Sequence, residues 1–152
     1  MGDGNRTLLG RIDAAAPVDA IEVAEAELVD VVGARDVCLL ICDYTGRAVV
    51  RFDRASWARA GVRRRDDETT ETVPLAGTAY ERVLRTQRID VEQEDGGAVV
   101  RAPVTVRGDA IGVLELRVPQ PPVAATLVEV AEVAQAFGYV VVANRRYTPR
   151  SA

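Results

Sequence analysis

The sequence predicts an α+β domain: an antiparallel sheet with a helix at each end of the chain. Three observations carry this. The stretches "DVCLLICDYTGRAVVRFD" (36–53) and "VVRAPVTVRGDAIGVLELRV" (99–118) each read as two strand-like runs around a glycine-containing turn, the pattern of a β-hairpin. The stretches before the first hairpin and after the second space their apolar residues at helical intervals. The length, 152 residues, suits one domain. A chain of that size buries roughly 68–70% of its unfolded surface and needs neither disulfides nor a metal to hold a core.

In "PVDAIEVAEAELVDVVGARD" (17–36), Pro17 suits a first helical position and Gly33 the residue just past a helix end. Ile21, Ala24, Leu28, Val31 and Val32 form its apolar stripe. The strand that follows, Val37 to Cys42, is apolar at every position, so both of its faces should be covered. Its partner alternates, with Ala48, Val50 and Phe52 against Arg51 and Asp53, and Gly46 supplies the turn. Residues 54–72 carry charge and little periodicity, with a short helix expected near Trp57 and a loop over "RRRDDETTE". The acidic set Asp66, Asp67, Glu68 and Glu71 reads as a solvated loop.

A short helix is expected next, with Thr78 as N-cap, Glu81 completing a capping box, and an end near Gln87. "IDVE" reads as a short strand before the turn at "EDGG". In the second hairpin Val100, Ala102, Val104 and Val106 share one face with Arg101 and Thr105 on the other; across the turn Leu114, Leu116 and Val118 alternate with Glu115 and Arg117. "PQPP" stops that strand, and a long helix is expected from Val123 to about Arg146. It carries a stripe of Val123, Leu127, Val130, Ala134, Phe137 and Val141, and a further apolar set, Val128, Tyr139 and Val142. A helix so apolar around its circumference needs more than one partner: the sheet, and then either the first helix or a second subunit.

The composition excludes several chemistries. There is no His, and all 19 basic residues are Arg. That removes Ser-His and Cys-His dyads, an imidazole base or metal ligand, Lys Schiff bases and the phosphate-loop Lys. Self-sufficient catalysis is therefore not expected, and no catalytic or metal-ligating residue is assigned. Cys38 and Cys42, four positions apart on one strand, lie ~13 Å apart along it, too far for a disulfide. They read as small buried hydrophobes in a cytoplasmic protein. No run reaches the ~20 apolar residues of a membrane span, the start "MGDGNRTLLGRID" lacks a secretory core, and the net charge of −4 argues against nucleic acid as a partner.

The order of elements resembles the GAF domain, a small sensor fold related to PAS. "GARDVCLLICDYTGR" (33–47) resembles its first hairpin. "VPLAGTAYERVLRTQRIDVE" (73–92) resembles its P-L-x-G-x-x-x-x-V-L segment, with Ile89 where a proline is more usual. "RAPVTVRGDAIGVLELRV" (101–118) resembles P-V-x-x-x-G-x-x-I-G-V-L-x-L. The closing helix with its "ANRR" end is similar to that of the GAF-like domain preceding actinobacterial PPM-type serine/threonine phosphatases. The resemblance implies a GAF-like domain over 17–146, with residues 1–16 as an N-terminal extension and 147–152 as a tail. It implies a central antiparallel sheet with both terminal helices packed on one face.

It further implies a regulatory module that binds a small molecule, dimerises, or does both, and so controls an output domain such as that phosphatase. Candidate ligand-binding residues are Phe52, Trp57, Tyr80, Arg101, Thr105 and Glu115; candidate dimer-interface residues are Val128, Tyr139 and Val142. The N-K-x-D-E set of cyclic-nucleotide members is missing, there is no His for haem, and the cysteines are not at the bilin-attachment position. No cofactor or ligand is named by the residues. A ligand-free dimerisation scaffold is the alternative, and a cysteine-based methionine sulfoxide reductase a more distant one, since apolar neighbours disfavour a reactive thiol. The polar trio Arg101, Thr105 and Glu115 also has a plainer reading, as cross-strand pairs.

Overall fold

The computed structural model describes residues 17–52 and 71–147. In chain order they form α1 (Pro17–Val32), β1 (Arg35–Cys42), β2 (Ala48–Phe52), β3 (Glu71–Pro74), α2 (Ala79–Thr86), β4 (Asp90–Glu94), β5 (Gly97–Val106), β6 (Asp109–Val118) and α3 (Ala124–Tyr147). The strands make one antiparallel sheet in the order β3-β2-β1-β6-β5-β4. The first and last strands are thus the central pair. That explains the unbroken apolar run of β1: its Leu39 and Ile41 face one core, and its Cys38 and Leu40 face another.

The larger core lies under α1 and α3, where Leu39, Val100, Val104, Leu114 and Leu116 of the sheet meet Leu28, Val130, Val133 and Phe137 of the helices. α3 lies close on β5: a Cβ on Gly138 would stand 2.6 Å from the Thr105 carbonyl oxygen, so only glycine permits the approach there. The smaller core, on the other face, holds Cys38, Leu40, Val49, Leu75, Val83 and Val113, with Tyr80 and Leu84 of α2 packed at its edge. The α+β class, the antiparallel sheet and the two terminal helices on one face are as the sequence predicted.

α1 stops where expected. Gly33 has φ 71°, its N–H donates to the Val29 carbonyl, and the Ala34 N–H reaches the Leu28 carbonyl. The stripe of α1 departs from expectation at one position. Ala24 and Leu28 are buried, but Val31 is 51% exposed. Val31 lies only about 20° around the helix from the buried Ala24 but nearly two turns further along it, near the end of α1, where Val32 on the opposite side of Leu28 still packs against the core. Val123, placed on the buried stripe of the last helix, is likewise exposed, because it precedes the first turn of α3. β3, "ETVP", was not anticipated; it pairs with β2 from Ala48↔Pro74 to Arg51↔Glu71. The helix expected near Trp57 and most of the acidic set (Asp66, Asp67 and Glu68) lie outside the described residues.

Candidate functional site

The face of the sheet opposite α1 and α3 carries the chain's one buried charged residue among the described residues. Glu115, at the middle of β6, is 5% exposed. Register places it beside Arg101 on β5 and beside Cys38 on β1. A carboxylate taken out of water needs donors to replace it, and Glu115 has them from four elements. Its Oε2 accepts from Arg101 Nε at 2.9 Å and from the Tyr80 hydroxyl at 2.8 Å. Its Oε1 accepts from Cys38 Sγ at 3.6 Å and lies 3.8 Å from Arg51 Nη1 of β2.

Arg101 extends the cluster to the edge strand. Its Nη1 donates to Glu92 Oε1 at 2.8 Å and lies 3.6 Å from Asp90 Oδ2. That Oδ2 is buried and accepts no hydrogen bond, so Arg101 gives it charge and nothing more. The other oxygen of Asp90 takes Arg82 Nη2 of α2 at 3.1 Å. The Tyr80 ring stands over the Arg101 guanidinium, 5.4 Å from centroid to Cζ, a cation–π contact. Burial pulls the Arg101 pKa down, but the Glu92 bond and the Glu115 charge more than offset it, leaving it raised. Burial first, and then the bond to Glu115, pushes the Tyr80 phenol up.

α2 is the cover of this cluster. Thr78 is its N-cap, with Oγ1 accepting from the Glu81 N–H at 3.3 Å. The Glu81 carboxylate reaches back to the Gly77 N–H at 3.1 Å, one residue before the cap, so the capping box is offset from its usual form. Gln87 ends the helix in the left-handed region at φ 55°, and its side chain donates to the Gly108 carbonyl. Only Val83 of α2 is fully buried, so polar ties to the sheet hold much of it in place: Tyr80 to Glu115, Arg82 to Asp90, and Gln87 to the β5–β6 turn.

Of the six candidate ligand residues, Tyr80, Arg101 and Glu115 meet directly. Thr105 lies on β5 four positions past Arg101, ~13 Å along the strand and opposite Ala110 beyond a bulge. Phe52 ends β2 opposite Leu39, and its side chain is not among those described. Trp57 lies outside the described residues. Sequence reasoning missed Arg51, Asp90, Glu92 and Arg82. Asp90 and Glu92 left a signal, since they alternate with Val91 in a strand that runs beside Arg101. For the candidate dimer interface, Val128 and Tyr139 are 57% and 58% exposed, and the Val142 side chain is not described. Among the described residues no group of three His, Cys, Asp or Glu is placed to hold a metal ion. No helix of the described residues is long and apolar enough to cross a membrane.

No protein-family model and no curated protein sequence matches the chain. Solved structures do. The GAF domain of a phosphoenolpyruvate-protein phosphotransferase from Acinetobacter superposes with a TM-score of 0.72 at 14% identity, covering 99% of this chain and 96% of that one. The chain has the GAF fold. The corresponding domain from Coxiella burnetii gives a TM-score of 0.73 at 12% identity over 94% of this chain and 93% of that one. A free methionine-R-sulfoxide reductase from Neisseria meningitidis, solved with its substrate, gives 0.68 at 12% identity over 95% of this chain and 89% of that one. On the GAF fold of this chain, then, the two terminal helices cover one face of the sheet, and the Glu115 cluster with α2 occupies the other.

Proposed function

We propose that this chain is a non-catalytic regulatory module of a cytoplasmic protein. It binds a small molecule between α2 and the Glu115 face of the sheet, pairs through its terminal helices, and controls an output domain such as a serine/threonine phosphatase. The observation that carries the reading is a buried carboxylate, Glu115, shared by Arg101, Tyr80, Cys38 and Arg51 beneath a helix of eight residues. Charges in that position cost desolvation that an apolar face would avoid. A polar ligand that takes over bonds of Arg101 or Glu115 displaces Tyr80, so its binding shifts the position of α2.

Thermal-shift measurement across nucleotides, amino acids and organic acids tests this. A stabilising compound is expected, with its effect reduced in Tyr80→Phe. A panel without any stabilising compound counts against the sensor.

One observation favours the second reading, a ligand-free dimerisation scaffold: Tyr80, Arg101 and Glu115 already satisfy one another. Thiol catalysis forms no part of either reading, because Cys38 is 3% exposed and far from Cys42 along β1. Purified protein is expected to leave methionine sulfoxide unchanged, and sustained turnover abolished by Cys42→Ala would overturn that.

A further inference from the structure

We propose that the end of α2 and the β5–β6 turn form a docking surface for an acidic segment of a partner protein, one rich in Asp and Glu. The surface is independent of the small-molecule reading above, since it needs only α2 and the turn as they lie. Of the arginines with described side chains, Arg51, Arg82, Arg101 and Arg117 pair with carboxylates. Arg35, Arg47, Arg85, Arg88 and Arg107 are exposed, and their side chains form no ion pair among the described residues. The last three of these come together. Arg85 stands in the last turn of α2, Arg88 just past its cap, and Arg107 immediately before Gly108 in the turn. The Gln87 side chain donates to the Gly108 carbonyl at 3.0 Å, so Arg88 and Arg107, the neighbours of that bond, share one corner of the molecule.

The acids nearest in sequence are Asp109, exposed at the same turn, and Asp90, already taken by Arg82 and Arg101. Three cations against one free acid leave this corner positive in a chain of net charge −4. Arg85 also suits the negative end of the helix dipole. Arg107 has no such reason to be there: its φ is 54°, a conformation that Asn or Gly takes more readily, so the turn alone does not ask for arginine. A local patch of opposite sign to the whole steers and orients a charged partner.

The chemistry of that partner follows from the surroundings. The helix end at the patch is the C-terminal one, whose outward carbonyls repel a phosphate pressed against the backbone. What reaches past them is the guanidinium fork, which takes a carboxylate bidentately. A nucleic acid would carry its phosphates onward from Arg88 along the chain, where Glu92, Glu94 and Asp95 are exposed. A short acidic peptide ends before it meets them. The same α2 carries Tyr80 on its inner side, so a docked segment and the Glu115 cluster meet through one helix.

The test is fluorescence anisotropy of a labelled hexaglutamate peptide titrated with the full chain at low ionic strength. Binding is expected, and it should weaken as salt is added. Arg88→Glu and Arg107→Asn should each weaken it about threefold or more, the size of an exposed ion pair, with unchanged melting. Arg88→Lys keeps the charge and should keep most of the binding, which separates the role of the cation from any effect of Arg88→Glu on folding. Arg47→Glu makes the same charge change on an exposed arginine of the other hairpin and should leave binding as it was. Absence of peptide binding overturns the proposal, as does an equal loss in Arg47→Glu. So does tighter binding, dependent on Arg88, of an oligothymidylate of equal charge or of phosphatidylserine vesicles, which would give the surface to nucleic acid or to a membrane.

Discussion

Arg101 and Glu115 face one another across the β5–β6 pair, joined by a 2.9 Å bond between Nε and Oε2. Breaking a buried pair strands the remaining charge, whereas replacing both members with apolar groups of similar size is close to neutral. Glu115→Ala or Arg101→Ala should therefore each cost about 3 kcal/mol. The double variant Arg101→Met with Glu115→Leu should cost less than the two single losses added together, with a remainder because Asp90 and the Tyr80 hydroxyl each lose a partner. Urea denaturation midpoints of the four proteins check this. Additive losses in the double variant would show that the pair is not what the sheet depends on.

Tyr80→Phe removes one hydroxyl, and with it a tie between α2 and the sheet. Loss of a hydrogen bond to a charged acceptor predicts roughly 1.5–3 kcal/mol, felt locally at α2. Amide hydrogen exchange should quicken across Ala79–Thr86 and stay unchanged in α1. The phenol adds a pH signature. Its pKa in the folded protein lies above the ordinary 10.0, so the group's contribution is complete below that value and is lost as pH climbs through the raised one. Ultraviolet titration should find one tyrosine of the folded protein ionising late, and Tyr80→Phe should remove that component.

Which parts of this arrangement were legible in the sequence follows from what is local in the chain. The Arg101–Glu115 pairing was within reach through alternation, which sets both residues on the polar face of the hairpin; the turn alone would place Arg101 opposite Leu114, and the bulge after Val104 moves it to Glu115. The Thr78 cap was readable because cap and helix are neighbours in sequence. The approach of Arg51 to Glu115 was not. It needs β1 to sit between β2 and β6, and the pairing of β1 with β6 joins residues from opposite ends of the domain. No local pattern encodes that contact. β3 was missed because four residues, one of them Pro74, are too few to show a period. Val31 was misplaced because a helical stripe gives the direction of the core but not how far along the helix the covering surface reaches.

Thr78→Ala should cost about 1 kcal/mol, since it leaves the Glu81 N–H without its acceptor at the start of α2. Thr78→Ser and Thr78→Asp keep a side-chain oxygen at that place and should retain most of the stability. Guanidinium denaturation ranks the three. If the alanine and serine variants prove equal, the cap contributes nothing and α2 is held by its ties to the sheet alone.

Glu129 links the packing of the helices to pH. Burial, then the charge of Glu27 on α1, then that of Glu132, raise its carboxyl above the ordinary 4.5. The folded state thus holds this proton more tightly than the unfolded chain does. The contribution is complete below 4.5 and is lost as pH rises through the elevated value, so mild acid should favour the helical face. Asp43 acts oppositely: the Thr45 hydroxyl holds its pKa below 3.8, and the stability it brings disappears as pH falls through that lower value. The two are separable by substitution. Glu129→Gln should raise the melting temperature at neutral pH and have little effect near pH 4, while leaving the acid limb set by Asp43 in place. A difference between wild type and Glu129→Gln that stays constant over that range would mean that Glu129 is as well solvated in the folded state as in the unfolded chain.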